Sequence, residues 1–291
     1  MVPQIKNGIL NIDKPQGITS HDVVDIVRKI FPGIKVGHTG TLDPIATGVL
    51  PICIGKATKL SDEFLSENKV YKVKMLLGVE TDTYDITGKI VFANTLNEDE
   101  IYIKERIKRF IGKSSQIPPI YSAIKIKGKK AYEYARNGEN VSLKPREIEI
   151  FNIDDIDVNL RKRQVSFVVS CTKGTYIRSL VHDIGIKLGC GATMIELKRL
   201  KTGDFDINDS IDLYEFLNLE YLDMLDKIVS IEELYKDSKK INLKDKDYDK
   251  FLNGIAIKID VPNGIVRVYE NLRYKGLGKV NDNLLKRFII E

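Results

Sequence analysis

The residues best placed to do chemistry lie in one short run, Gly37-His38-Thr39-Gly40-Thr41-Leu42-Asp43-Pro44-Ile45-Ala46-Thr47-Gly48. Glycine carries no Cβ, so three glycines within these twelve residues let the backbone turn sharply and come close to a ligand. Pro44 biases Asp43 away from the helical region, towards an extended or turn conformation. A carboxylate held there can be presented to a ligand. The competing reading is an Asx-type turn with His38 as a local hydrogen-bond partner. The run is not a phosphate-cradling Walker loop, because the GxxxxGKS or GxxxxGKT order is missing. Tyr71 and Arg178 stand at the edges of patterned segments; their ordinary readings are a core tyrosine and a surface arginine. The histidines are His21, His38 and His182, and no GxSxG elbow accompanies them, which argues against a Ser-His-Asp hydrolase. Cys53, Cys171 and Cys190 are scattered and form no CxxC pair. Neither a zinc site nor a disulfide framework is indicated, and a reducing cytoplasm fits best.

These residues need a frame. Ile9–Ile12 is short and mostly apolar, Lys14-Pro15-Gln16-Gly17 reads as a turn, and Thr19 or Ser20 can cap a helix. That helix has Val23, Ile26, Val27 and Ile30 at helical spacing and ends at Pro32-Gly33. Tyr71, Val73, Met75 and Leu77 alternate with lysines as in a half-buried strand, and Val165, Phe167, Val169 and Cys171 alternate likewise. A helix is expected from near Asn97, with Ile103, Ile107 and Phe110 inward and Gly112 as its stop. Another follows Gly174, with Leu180, Val181, Ile184 and Leu188 inward, closed by Gly189. The regular βαβ rhythm is absent. The expected class is therefore α/β in the α+β sense, with a mixed, mainly antiparallel sheet flanked by helices. Lys236–Lys250 is dense in Lys and Asp and reads as a linker or exposed entry. The short apolar runs and turns after it read as a small β-rich module. The expected division is 1–235 and 236–291.

With 43% hydrophobic residues the chain can build a sizeable core. The start lacks a basic region followed by a long apolar run, so no signal peptide is expected, and no apolar stretch approaches the ~20 residues that span a bilayer. The net charge is +5, but Lys104 to Arg146 holds twelve Lys or Arg and three Glu, a local +9 that leaves −4 for the rest. A basic segment on an otherwise near-neutral chain suits a polyanion partner; the plainer reading is a solvated face.

The run GHTGTLDPIATGVLPICIGKATK resembles the catalytic loop of the TruB family of tRNA pseudouridine synthases. Five further segments resemble that family in order. They are Lys14-Pro15-x-Gly17-x-Thr19-Ser20, then Tyr71 leading to Leu77-Gly78 and Thr81-Asp82-Thr83-x-Asp85-x-x-Gly88, then Gln116-x-Pro118-Pro119-x-Tyr121-Ser122-Ala123-x-Lys125. Lys173-Gly174-Thr175-Tyr176-Ile177-Arg178 follows, and Leu197-Lys198-Arg199-x-Lys201-Thr202-Gly203 is similar to the family's LRRTxxG, with Lys198 for Arg and Leu200 for Thr. The likeness is strong over about residues 8–206. The ending from Gly276 resembles, more weakly, the short PUA-like tail of bacterial members.

The resemblance implies a pseudouridine synthase fold with a PUA-like RNA-binding tail, and isomerisation of uridine 55 in the T loop of tRNA. That reaction breaks the bond from ribose C1′ to uracil N1, turns the ring and rejoins it through C5. No atom is lost, so neither cofactor nor metal is expected. It implies Asp43 as the catalytic carboxylate, attacking C1′ or assisting deprotonation at C2′. Arg178 is then its ion-pair partner, and Tyr71 stacks on the target uracil and helps remove the C5 proton. His38, Tyr176 and Leu197 line the pocket of the flipped base. Lys14 and the tip residues Lys125, Lys127, Lys129 and Lys130 are expected to contact RNA, with Tyr121, Tyr132 and Tyr134 as stacking surfaces. A cytoplasmic monomer that binds the T stem-loop, away from any membrane, completes the expectation.

Overall fold

The computed structural model describes residues 6–95, 99–122, 124–126, 128–139 and 141–291. The start of the helix expected near Asn97, together with Ala123 and Lys127, lies outside the described residues. The chain forms two compact units. One comprises Met1–Asp43, Leu50–Leu65 and Asp209–Glu291; the other comprises Pro44–Val49 and Ser66–Asn208.

The second unit is built on a mainly antiparallel sheet. Strand Ala192–Thr202 pairs with Lys69–Leu77, which pairs with Gln164–Cys171, then Arg146–Asn159, then Gly112–Gln116. A parallel ladder brings Thr47 and Gly48 against Lys198 and Arg199. Lys69–Leu77 shows the expected alternation: Tyr71, Val73, Met75 and Leu77 are buried and Lys72 is exposed. Each such aliphatic side chain contributes roughly 1.5–3 kcal/mol on burial. Helix Ile177–Leu188 buries Leu180, Val181, Ile184 and Leu188, and Gly189 closes it at φ 74°. Gly185 lets this helix approach the Ala192 strand, since a Cβ there would stand 2.2 Å from the Ala192 nitrogen. Helix Glu100–Lys108 is capped by the Asp99 carboxylate and buries Ile103 and Ile107, while Phe110 falls beyond its end.

In the first unit, Gly8–Lys14 pairs parallel with Ile211–Asp212 and antiparallel with Ile228–Ser230. Helix Ser20–Ile30 begins with a capping box in which Thr19 and Asp22 satisfy each other's backbone N–H groups. Its buried positions are Ser20, Val23, Val24 and Val27; Ile26 and Ile30 are only half-buried, so the inward face is rotated slightly from the one read by spacing. The same unit holds a five-stranded sheet of Lys240–Leu243, Gly264–Glu270, Arg273–Asn281, Leu284–Ile290 and Ile257–Lys258, in that order across the sheet. Two hairpins turn on Asn271-Leu272 and Asp282-Asn283, all four at positive φ, the geometry of tight two-residue turns. The Lys236–Lys250 segment is not a bare linker. It carries strand Lys240–Leu243 and most of helix Asp245–Leu252. Leu243, Tyr248 and Phe251 supply enough apolar surface to join the core with Ile257, Val266, Val268, Val280 and Leu285. Lys239, Lys240, Lys244, Lys246, Asp249 and Lys250 around them are exposed, which is why composition alone read this stretch as a connector.

Candidate active site

The loop that carries Asp43 is tied down by the neighbouring motif. The Ser20 hydroxyl accepts from Leu42 N–H at 2.8 Å and donates to Leu42 O at 3.2 Å, so the helix start fixes the residue before Asp43. His38 Nδ1 accepts from Gly40 N–H at 3.2 Å, and Thr39 N–H donates to Pro51 O. The His38 ring is therefore a local partner of its own loop, and both it and Asp43 are half-buried. Lys14 is fully buried: its ammonium donates to Pro15 O at 2.9 Å and Ile18 O at 2.7 Å. It pins the turn that precedes the Ser20 helix, which is a structural task, whereas contact with an RNA phosphate was the expectation. Asp43 ends the first unit's opening segment, and Tyr71, Tyr176, Arg178 and Leu197 belong to the second unit.

Gly48 has a specific steric duty. Its φ is 102°, and a Cβ there would stand 2.2 Å from Arg199 O. Only glycine allows the chain after Pro44 to lie this close to the Ala192–Thr202 strand. On that strand Leu197 faces Val73 and Arg199 faces Tyr71, so Tyr71, Val73, Leu197 and Arg199 share one face. Arg199 is 1% exposed; its Nε donates to Val49 O at 2.7 Å, and its guanidinium is hydrogen-bonded to the Tyr71 side chain. Burial pulls the Arg199 pKa down, and its interaction with Tyr71 works the other way. Lys69, two residues before Tyr71 on the same face, is held at about 8 by burial first and by the Arg199 charge second.

Arg178 sits in the first turn of its helix and is 5% exposed. One terminal nitrogen donates to Thr83 O at 3.1 Å and the other to Tyr121 O at 2.9 Å. The Asp85 carboxylate lies 3.6 Å from the guanidinium, with both side chains buried. The other Asp85 oxygen accepts from the Thr83 hydroxyl at 2.9 Å, Thr87 N–H at 3.0 Å and the Thr87 hydroxyl at 2.5 Å. Gln116, also buried, clamps the residue before the helix: it accepts from Tyr176 N–H at 2.8 Å and donates to Tyr176 O at 3.1 Å. Three motifs far apart in sequence thus converge on Arg178 and Tyr176. Sequence reasoning assigned no role to Asp85, Gln116, Lys69 or Arg199. The available signal was a charged or amide residue at a buried-face position of an otherwise apolar pattern.

The basic segment forms a small hairpin in which Lys125 pairs with Lys130 and Ile126 with Lys129. All three lysines are exposed; Lys130 lies over the Tyr132 ring at 5.5 Å and Lys129 over Tyr134 at 6.0 Å. Tyr134 donates to Ile126 O at 3.1 Å, fixing its ring against the hairpin.

A family model for the N-terminal domain of the TruB family of pseudouridylate synthases matches residues 28–177, and one for the tRNA pseudouridylate synthase B C-terminal domain matches residues 178–235. The chain is 44% identical to a tRNA pseudouridine synthase B of Clostridium kluyveri, covering 97% of this chain and 100% of that one. It is 47% identical to a protein of the same name from Clostridium tetani, over 94% and 95% of the two chains. It is 40% identical to one from Aquifex aeolicus, over 98% and 100%. Among solved structures, it superposes with a TM-score of 0.69 and 28% identity on a chain of a Cbf5-Nop10-Gar1 complex, covering 98% of this chain and 84% of that one. A chain of an H/ACA ribonucleoprotein bound to a substrate RNA containing 2′-deoxyuridine gives 0.69 at 25% identity, over 98% and 85%.

Proposed function

The chain belongs to the TruB family of pseudouridylate synthases, and from that premise we propose that Asp43 is the carboxylate that acts on the sugar of a flipped uridine 55 in the T loop of tRNA. The enzyme is an isomerase: the glycosidic bond to N1 is cut and the same base is rejoined through C5. A uridine stacked inside a folded loop cannot present its sugar to the half-buried Asp43, so the nucleotide is extruded at a cost of a few kcal/mol in lost stacking. Arg178 pairs with the Asp43 carboxylate in the closed complex and offsets the cost of taking that charge out of water. Tyr71 packs on the base and takes part in removing the C5 proton, and His38, Tyr176 and Leu197 form the walls around it. Lys125, Lys127, Lys129 and Lys130 meet phosphates of the T stem-loop. Residues 1–235 carry catalysis, and the 236–291 module, with its own core, adds RNA contacts.

The observation that carries this reading is the convergence on Arg178. A guanidinium buried to this depth, held by Thr83, Tyr121 and Asp85 from two other motifs, is the kind of rigid cation that a catalytic carboxylate requires. Because no atom is gained or lost, the reaction runs without cofactor or metal, and the enzyme acts as a monomer. Among the described residues no helix is long and apolar enough to cross a membrane, and we assign the protein to the cytoplasm, where its tRNA substrate resides. The test is to map pseudouridine in tRNA incubated with the protein and with Asp43→Asn. Pseudouridine at position 55 with the native protein alone supports the proposal; equal modification by both proteins overturns it.

A further inference from the structure

Among the described residues, one of the largest fully buried side chains is a charged one, Arg199. Burying a guanidinium is expensive and calls for a reason. Its named contacts are a carbonyl, Val49 O at 2.7 Å, and the Tyr71 side chain, which stands directly opposite it in the strand register. The strand is held there by the close approach that Gly48 permits. A second cation, Lys69, lies on the same face of the Tyr71 strand, near enough to Arg199 to feel its charge. Its ammonium donates to Glu67 O, which anchors it at the strand's start. Two cations therefore flank one phenol on the face that also carries Leu197.

We infer that Arg199 is a positioning residue for Tyr71: its guanidinium orients the oxygen towards C5 and stabilises the phenolate that accepts the C5 proton. The inference rests on the proposed role of Tyr71 in that step. Once the base has rejoined through C5, that carbon holds both the sugar and a hydrogen. The C5–H bond breaks, its proton passes to the Tyr71 phenolate to give the phenol, the bond's electron pair restores the ring's C5–C6 double bond, and the C6–N1 π pair moves onto N1. N1 takes a proton from water, and the hydroxide left behind takes the phenol's proton, which restores the phenolate and the water. Within the site, the negatively charged oxygen needs donors already in place, because reorganising them during the step would raise the barrier. Arg199, fixed at its Nε by Val49, is such a donor. A lysine at 199 cannot bond the carbonyl and the phenol together in the same planar geometry.

The experiment is a double-mutant cycle on single-turnover release of tritium from C5-labelled tRNA, using Arg199→Lys, Tyr71→Phe and the pair, with tRNA affinity and thermal unfolding measured on each. Arg199→Lys keeps the charge and protects folding. It should slow turnover by roughly ten- to hundredfold, the worth of a hydrogen bond to a charged group, with affinity unchanged. In the Tyr71→Phe background the same change should have no further effect, because the hydroxyl it acts through is gone. Arg199→Lys losses that multiply undiminished onto Tyr71→Phe, or that track lost affinity or stability, overturn the inference. If Tyr71→Phe itself keeps the full rate, the proposed role of Tyr71 fails instead, and the two failures are told apart by that single arm.

Discussion

Replacing Asp85 by alanine should destabilise the protein by about 3–5 kcal/mol, the usual cost of removing one partner from a buried ion pair. The figure follows from what the side chain does. One oxygen faces the Arg178 guanidinium at 3.6 Å, and the other accepts three hydrogen bonds from Thr83 and Thr87. Alanine strands a buried charge and three donors together. Asparagine can keep the three bonds at its carbonyl oxygen but turns an amide towards the guanidinium, so Asp85→Asn should fall near the low end, about 3 kcal/mol. Urea unfolding followed by circular dichroism measures both, and tRNA turnover should fall by at least tenfold in each because the loosened Arg178 no longer meets the substrate complex in one geometry. A cost below about 1 kcal/mol for alanine, or equal costs for the two variants, would refute the reasoning, since buried pairs and satisfied acceptors cannot be removed so cheaply.

Gly48→Ala should lower stability by more than the roughly 1–2 kcal/mol of a left-handed backbone alone, since its Cβ also meets Arg199 O at 2.2 Å; a melting curve matching the native protein would contradict that. Affinity for tRNA should fall steeply with added salt, and Lys129→Gln with Lys130→Gln should flatten the log–log slope by about one unit per lysine. An unchanged slope would show that the hairpin does not meet phosphates. Burial opposes charge on His182, yet Asp183 at 3.1 Å and Glu80 at 3.2 Å outweigh it and raise its pKa. The stability this confers is full below the unfolded value of about 6.5 and is lost as pH rises through the higher folded one. The melting-temperature gap between native protein and His182→Gln should therefore shrink from pH 6 to pH 8.5, and a gap that widens would reverse the sign.

Local signals in the sequence were read well where one residue type does one local job. Of the two caps that residue type offered, Thr19 and Ser20, Thr19 caps the first helix, and the alternation through Tyr71–Leu77 and Val165–Cys171 marks the buried face of two central strands. What could not be read is what depends on register. Nothing local to Arg199 shows that it faces Tyr71; a bulge between Met194 and Glu196 breaks the strand's alternation, and a buried arginine looks like a surface one in any hydropathy pattern. Asp85 reads as one acid of a turn until Arg178 arrives from a helix ninety-odd residues later. Lys14 is the converse, a lysine of the kind that usually meets solvent or phosphate, here consumed by two carbonyls of its own turn. The helix and strand within 240–252 were hidden because a small module with few apolar positions can still close its core when each one is used.

The most direct trial of the account is to mix C5-tritiated tRNA with Asp43→Asn under single-turnover conditions, after a binding assay has shown that the variant still holds the tRNA. Retained binding with no tritium released above background is the result expected if this carboxylate opens the glycosidic bond. Release at the native rate would mean that another group does so, and the assignment of Asp43 would be wrong.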